Sequence, residues 1–237
     1  MVLIIVSLVL LCSWYCNSKI SLSDTEERLE TAIKALNQKN YAETYSIVEP
    51  LAKKGEPTAQ LILGNMYYKG LGVSQNCKQA NIWFKRSAEG GNSQAYVFLA
   101  EFYEYGKCGE TDFKKAIEYY LRGIALNNTL AANNLAWFYA TVGYPEYQKP
   151  KKAIVYARQA VKANPYEARF YDTLAAAYAR DGQFIKAIEI IKKATTLLKG
   201  LESIPETEKR NLEAEFITRL SLYMNNKAYI DMSIKCP

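Results

Sequence analysis

The feature that most constrains the fold is an alternation of bulky and small residues that recurs along the chain. In its first clear copy, Leu63 and Tyr67 stand four apart with Gly64 beside them, and Phe84 stands four after Ala80. These spacings put each set on one face of an α-helix. Glycines follow the two segments at positions 70, 72, 90 and 91, and glycine readily adopts the left-handed conformation that ends a helix. The stretch from 59 to 95 therefore predicts two short amphipathic helices joined as an antiparallel hairpin.

The same pattern returns further along the chain, so the hairpin is a repeat. The corresponding positions of the later copies are Leu99, Ala100, Tyr103, Ala116 and Tyr120; then Leu135, Ala136, Tyr139, Ala153 and Ala157; then Leu174, Ala175, Tyr178, Ala187 and Ile191. One hairpin cannot bury its own apolar face and needs neighbours, which predicts a solenoid of helix pairs. The tyrosines of this pattern are expected in its core.

Two known repeat families share these residues. The segment YDTLAAAYARDGQFIKAIEIIKKA resembles a tetratricopeptide repeat, and the segment from 59 to 94 resembles the Sel1-like repeat, a relative with a longer turn. From the recurring leucine to the recurring alanine there are 17, 17, 18 and 13 residues in the successive copies. The resemblance implies an all-α, right-handed α-solenoid of antiparallel helix hairpins, with two Sel1-like repeats over 59–130 and two tetratricopeptide-like repeats over 131–200.

The regions on either side of the repeats are expected to close the array. Residues 24–56 resemble a degenerate first hairpin, which begins with Asp24 and Glu27 spaced as in a capping box. Residues 205–224 predict one further helix behind Pro205, with charged residues along one face. A solenoid needs a polar-backed element at its end, so this segment is expected to be a C-terminal capping helix.

The first residues are typical of an export signal. The apolar run at 2–11 is short for a membrane span of ~30 Å and suits the apolar region of a signal peptide, although no Lys or Arg precedes it. Residues 1–18 are therefore expected to be a signal peptide of a bacterial periplasmic or secreted protein. The alternative is an inner-membrane anchor formed by residues 2–16, which would be the chain's one contact with a membrane.

Removal of that segment leaves three cysteines at 77, 108 and 236. Cys77 and Cys108 fall in the turns of consecutive repeats, so stacking of those repeats could bring them together. In an oxidising compartment they are a candidate disulfide pair, and two unpaired thiols are the alternative.

The composition argues against catalysis. The chain has no histidine, which removes the usual general base, the commonest metal ligand and the Ser-His and Cys-His pairs. Glu101 and Glu104 are three apart and are interpreted as surface charge rather than a catalytic pair. The net charge of +6 is spread among interspersed lysines and acids, which gives little support to nucleic-acid binding. No cofactor or metal site is expected, and the chain is predicted not to be an enzyme.

The resemblance also implies a binding surface. In tetratricopeptide arrays the first helix of each pair lines the inner curve of the solenoid. The matching positions, with Asn134 added as the place of a peptide-clamping asparagine, are Leu61, Asn65 and Lys69; Val97, Glu101 and Tyr105; Asn133, Asn134, Trp137 and Thr141; and Asp172, Ala176 and Arg180. This mixture suits an extended peptide. For Trp137, ordinary packing is the alternative to groove contact. The expected function is an exported scaffold or adaptor that binds a protein or peptide. The alternative is a cell-envelope accessory protein that binds cell-wall polymer or modulates an envelope enzyme.

Overall fold

The computed structural model describes residues 24–107, 109–201 and 204–234, and these contain helices and no strand. The helices are α1 (24–37), α2 (Tyr41–Lys53), α3 (Pro57–Lys69), α4 (Cys77–Glu89), α5 (Ser93–Tyr105), α6 (Phe113–Ala125), α7 (Thr129–Thr141), α8 (Pro150–Ala163), α9 (Ala168–Arg180), α10 (Phe184–Gly200) and α11 (Glu206–Met224). A short 3-10 helix at Pro145–Tyr147 lies in the long turn before α8.

Local sequence explains where these helices begin and end. The side-chain oxygens of Asn76, Asp112 and Asn128 each accept a hydrogen bond from the backbone N–H three residues later, at 2.9–3.0 Å. Each bond satisfies one of the backbone donors that the first turn of a helix leaves unpaired. Gly70 follows α3 with φ of 69°, a conformation that costs glycine little. The helix end predicted at Gly70 is therefore present.

The described part of the chain divides into two compact units after Ala95, with the division inside α5. In the first unit, helices α1 to α4 enclose a core that includes Ala32, Val48 and Leu63. The packing of α3 on α4 depends on Gly64, because a Cβ atom there would lie 2.8 Å from the ring of Phe84. The small residue of the repeat pattern thus lets its bulky partner approach the helix backbone.

In the second unit, the recurring leucines and alanines form the core. Leu135, Ala136 and Ala153 are fully buried, and so are their counterparts Ala175 and Ala187 in the next hairpin. Helix α11 packs against α10, and its residues Phe216 and Tyr223 are buried. The residues predicted to cap the array therefore contribute to the core of this unit.

The expected all-α fold of repeated helix hairpins is confirmed. One detail differs, because Tyr139 and Tyr178 are buried while Tyr67 and Tyr103 are only half-buried. The proposed signal or anchor segment, residues 1–18, lies outside the described residues. Among the helices that are described, none combines the length and the apolar character needed to cross a membrane.

Candidate functional site

A cavity of about 390 Å³ in the second unit is the candidate functional site. Its walls come from α5, α7, α9 and α11, and helices α7 and α9 present to it residues three or four apart, on one face of each helix. The lining residues are Glu104, Tyr105, Asn133, Asn134, Trp137, Arg169, Asp172, Thr173, Leu212, Glu215 and Arg219. Two buried carboxyl groups line this cavity, Asp172 with a cationic partner and Glu104 without one.

Asp172 is held by a buried ion pair with Arg219 of the capping helix α11. The Arg219 Nε donates to Asp172 Oδ1 at 2.7 Å, and its Nη2 donates to Glu215 at 3.0 Å. The guanidinium also lies 5.3 Å from the ring centroids of both Trp137 and Tyr229. Burial raises the pKa of Asp172 to about 6 although the charge of Arg219 opposes the rise. The pair is therefore mainly ionised at neutral pH.

Glu104 is buried without a cationic partner. The residue is 1% exposed, and its Oε2 accepts a hydrogen bond from the hydroxyl of Tyr120 at 2.6 Å. The other oxygen, Oε1, is also buried and meets no donor in hydrogen-bond geometry. Burial raises the pKa of Glu104 to about 8, and the carboxylates of Glu101 and Asp231 add to the rise.

Two tyrosine hydroxyls oppose that rise in pKa. The hydrogen bond from Tyr120 has the larger effect, and Tyr105 lies near enough to favour the ionised carboxyl, without reaching Oε1 in hydrogen-bond geometry. Their combined effect is smaller than that of burial, so Glu104 is mostly protonated at pH 7.

The two asparagines of α7 continue this wall of the cavity. Asn133 Nδ2 donates to Asn134 Oδ1, and Asn134 Nδ2 donates to Glu101 Oε1, each at 3.4 Å. Glu101 also accepts from Lys107 at 3.1 Å. The Oδ1 atom of Asn133 is buried and has no donor. The cavity therefore contains two buried acceptor oxygens, on Glu104 and Asn133, that no group of the described chain satisfies.

The C-terminal segment, residues 225–234, packs beside the cavity. Trp137 Nε1 donates to Asp231 at 2.9 Å, and the backbone N–H of Asp231 donates to the carbonyl of Thr141 at 3.0 Å. Arg180 donates to the carbonyls of Ala140 and Tyr229, at 2.6 and 2.7 Å. The segment thus binds the side chains of Trp137 and Arg180, which were predicted to contact a ligand.

The structure brings together part of the predicted groove. Tyr105, Asn133, Asn134, Trp137 and Asp172 line the one cavity, and Glu101 touches it through Asn134. Arg180 does not join them, because its guanidinium binds backbone carbonyls.

Three further groove positions, Val97, Thr141 and Ala176, are buried and do not line the cavity, which corrects their assignment to a binding surface. The others belong to the first unit or fall outside the described residues. Asn65 is half-buried and Lys69 is exposed, both on α3. Cys77 is disulfide-bonded, but Cys108 lies outside the described residues, so the pairing of these two cysteines stays a prediction.

Sequence reasoning misplaced one residue of the cavity and missed another. Glu104 was expected on the surface and is buried, which corrects that interpretation. A signal was available, since Glu104 follows the recurring leucine by five residues, where the next repeats have the buried Ala140 and Ala179. Arg219 lies on the capping helix, and no repeat position marks it. In the described part of the chain, no three acidic or cysteine side chains cluster closely enough to hold a metal ion.

An all-α array of hairpins with small residues where the helices approach is the architecture of a helical-repeat protein. Within that class, three segments match the Sel1 repeat, at residues 57–92, 93–128 and 129–165. Residues 57–165 thus match three consecutive Sel1 repeats. The third segment was grouped with the tetratricopeptide-like pair, but its leucine-to-alanine spacing of 18 residues is close to the 17 of the first two.

Solved structures agree with this assignment. The chain is similar to c5321, a protective antigen of uropathogenic Escherichia coli with an SLR fold, at 28% identity and a TM-score of 0.61, over 81% of this chain and 39% of that one. It is also similar to a Sel1 repeat protein from Oxalobacter formigenes, at 21% identity and a TM-score of 0.59, over 85% and 78% of the two chains. The chain thus spans well under half of the Escherichia coli antigen. Among curated proteins, no sequence matches the chain significantly.

Proposed function

We propose that the chain is an exported, non-enzymatic scaffold that binds an extended peptide segment of another protein at the cavity of the second unit. The observation that carries this proposal is the convergence of Tyr105, Trp137, Asn133 and Asn134 on one cavity. Aromatic rings supply contact area at low entropic cost, and amide side chains can both donate to and accept from a peptide backbone.

The position of the C-terminal segment supports this choice of ligand. Residues 227–231 are non-helical and run along the face that carries Trp137 and Thr141. One main-chain hydrogen bond, from Asp231 to Thr141, joins the segment to α7. A face that holds part of its own chain in this way is suited to a second extended segment next to it.

Binding can be tested by selecting peptides from a displayed library against the full chain and measuring their affinity by fluorescence anisotropy. The replacement Asn134→Ala should weaken binding about tenfold or more, as the loss of one central interface group does. Asn211→Ala is the matched control, because Asn211 is exposed on α11 and does not line the cavity.

Equal affinities of the wild type and Asn134→Ala would contradict this site. If no peptide is selected, the proposal fails. Co-sedimentation with purified cell-wall polymer, weakened by Asn134→Ala and not by Asn211→Ala, would then favour the accessory role instead.

Export is tested separately from binding. A fusion of residues 1–18 to alkaline phosphatase should be active, because that enzyme needs the oxidising environment outside the cytoplasm to form its disulfides. N-terminal sequencing of the mature chain should begin at Lys19 if the segment is a cleaved signal. An intact N-terminus in the membrane fraction would favour the anchor, and an inactive fusion would contradict export.

A further inference from the structure

In the described chain, the charged side chains that line the cavity are paired, and the buried carboxyl of Glu104 is the lining acidic group that is not. Arg219 is matched by Asp172 and Glu215, and Arg169 is bonded to Glu208. Glu101 is matched by Lys107. Among the carboxyl groups that line the cavity, Glu104 is the one with no basic side chain within ion-pair distance in the described chain.

The same place in the cavity lacks hydrogen-bond donors. The buried Oε1 of Glu104 and the buried Oδ1 of Asn133 both accept no hydrogen bond. A carboxyl that keeps its proton does not need a donor at each oxygen, but once Glu104 ionises its Oε1 is, like Asn133 Oδ1, a buried acceptor with no donor, which is unfavourable. A ligand that supplies donors there therefore stabilises the ionised form. The unmet need is for donors, and the nearby Glu101 and Asp231 carboxylates favour donors with positive charge.

The cavity also has the shape and lining for a long aliphatic cation. Its volume of about 390 Å³ is near the lower end of the ~300–1,000 Å³ of ligand sites, which suits one long side chain rather than a large ligand. The rings of Tyr105 and Trp137 line it. Each ring already lies beside a cation of the chain, Lys107 at 5.1 Å from Tyr105 and Arg219 at 5.3 Å from Trp137, so the rings offer apolar contact to the aliphatic part of the ligand. Arg169 and Glu215, with side chains 55% and 57% exposed, lie where the cavity meets solvent.

We infer that this cavity is a subsite for the positively charged side chain of a peptide ligand, lysine or arginine, with Glu104 as its counter-charge and Asn133 as a second acceptor. This inference rests on the proposed function, because it names the chemistry of the ligand that the same site takes. The lysine and arginine side chains share a charged nitrogen group on a short aliphatic chain, and the probes below distinguish between them.

Binding of the cation is coupled to a proton. Glu104 faces Glu101 and Tyr105 on α5, Tyr120 on α6 and Asp231 in the C-terminal segment, and it is protonated before the cation binds. A cation beside Oε1 favours the carboxylate, so the proton passes to solvent as the ion pair forms. Affinity should therefore rise with pH and level off above the pKa of about 8.

The test uses n-butylammonium, n-butylguanidinium and neutral 1-butanol as probes of the full chain, followed by NMR of the Trp137 indole N–H and the Asn133 side-chain amide. The two cations should shift these signals with a Kd of roughly 1 mM, and butanol should not. The tighter of the two cations identifies lysine or arginine as the side chain. No shift with either cation at about ten times that Kd would overturn the inference.

Variants of Glu104 and Asn133 test whether these two acceptors bind the cation. Glu104→Gln, which keeps the shape of the side chain, should weaken cation binding at least about tenfold, and Glu146→Gln on the exposed 3-10 helix should not. Asn133→Ala should weaken it as well, which gives a second result if Glu104→Gln folds poorly by circular dichroism. For the wild type, the Kd should fall by up to about tenfold between pH 6 and 7. Unchanged binding in both variants, or a Kd independent of pH, would overturn Glu104 as the counter-charge.

The outcomes separate this inference from the proposed function. If library selection yields peptides that depend on Asn134 but carry no lysine or arginine, the proposed function stands and this inference fails. If the cations bind as expected and no peptide is selected, the subsite stands and the peptide-binding function fails. End-capped peptides with a central lysine, arginine or norleucine join the two results, because the norleucine peptide should bind at least about tenfold more weakly than the better cationic one.

Discussion

Two carboxyl groups buried in the same cavity have opposite surroundings. Asp172 on α9 is bonded at 2.7 Å to Arg219 of α11, whereas Glu104 on α5 has one neutral donor, Tyr120. Burial raises the pKa of both groups, to about 6 for Asp172 and to about 8 for Glu104. The difference shows that the capping helix supplies a charge to one wall of the cavity and none to the other.

The largest expected effect on stability comes from removing the charge of Arg219, the partner of Asp172. Arg219→Met leaves Asp172 buried and unpaired, which should lower the free energy of unfolding by about 3–5 kcal/mol at pH 7. Urea denaturation followed by far-UV circular dichroism measures it. Arg210→Met is the matched control on the same helix, since the Arg210–Glu206 pair is exposed and should contribute below about 1 kcal/mol. Similar losses of unfolding free energy in the two variants would mean that the buried Arg219–Asp172 pair stabilises the fold no more than an exposed pair does.

The pH dependence of stability tests whether Glu104 is protonated in the folded chain. Between the usual carboxyl pKa of 4.5 and the folded value of about 8, folded Glu104 keeps its proton while the unfolded chain loses it, so stability falls as pH rises. The wild type should lose about 2 kcal/mol relative to Glu104→Gln between pH 6 and 8. Chemical denaturation of both proteins at each pH measures this difference. A constant difference would mean that Glu104 is not protonated in the folded chain.

Removal of the single donor to Glu104 should have a smaller effect. Tyr120→Phe leaves the Glu104 carboxyl with no hydrogen bond from α6, which should cost about 1–2 kcal/mol at pH 7. It should also raise the pKa of Glu104 further, because the Tyr120 bond lowers it. Tyr119→Phe, at the adjacent half-buried residue, is the control. The same denaturation series reports both quantities, and an unchanged midpoint for Tyr120→Phe would contradict the observed bond.

The smallest effect is expected at the C-terminal segment. Asp231→Ala removes the acceptor of the Trp137 indole N–H and should cost about 0.5–1 kcal/mol. The more sensitive measurement is hydrogen exchange of that indole N–H by NMR, which should become faster than in the wild type. Because Asp231 also raises the pKa of Glu104, the variant should lower that pKa. Unchanged exchange would show that the segment does not hold Trp137.

The repeat pattern made most of the architecture predictable. Leucine and alanine positions such as Leu135 and Ala153 are buried as their spacing indicated, because helical periodicity alone decides which face of an amphipathic helix points inward. The repeat pattern did not predict the 3-10 helix in the long turn before α8. There Phe113 packs against Tyr144 and Tyr147, with ring centroids 5.6 and 5.2 Å away.

The candidate site was predictable only in part. The repeat register placed Asn133, Trp137 and Asp172 on a shared face, and they do line one cavity. The register did not predict that Arg180 would bind the carbonyls of Ala140 and Tyr229. That contact joins residues 49 apart in the sequence, and no local pattern encodes such a pairing.

The sequence by itself determined the helices, their order and their buried faces, since caps, glycines and periodic apolar positions act over a few residues. The tertiary structure alone decided which polar groups are satisfied. Arg219 reaches Asp172 across 47 residues of sequence, while Glu104 is buried by its own repeat without receiving a cation. Electrostatic energies depend on distance and burial in space, and for that reason two similar carboxyl groups acquired different chemistry.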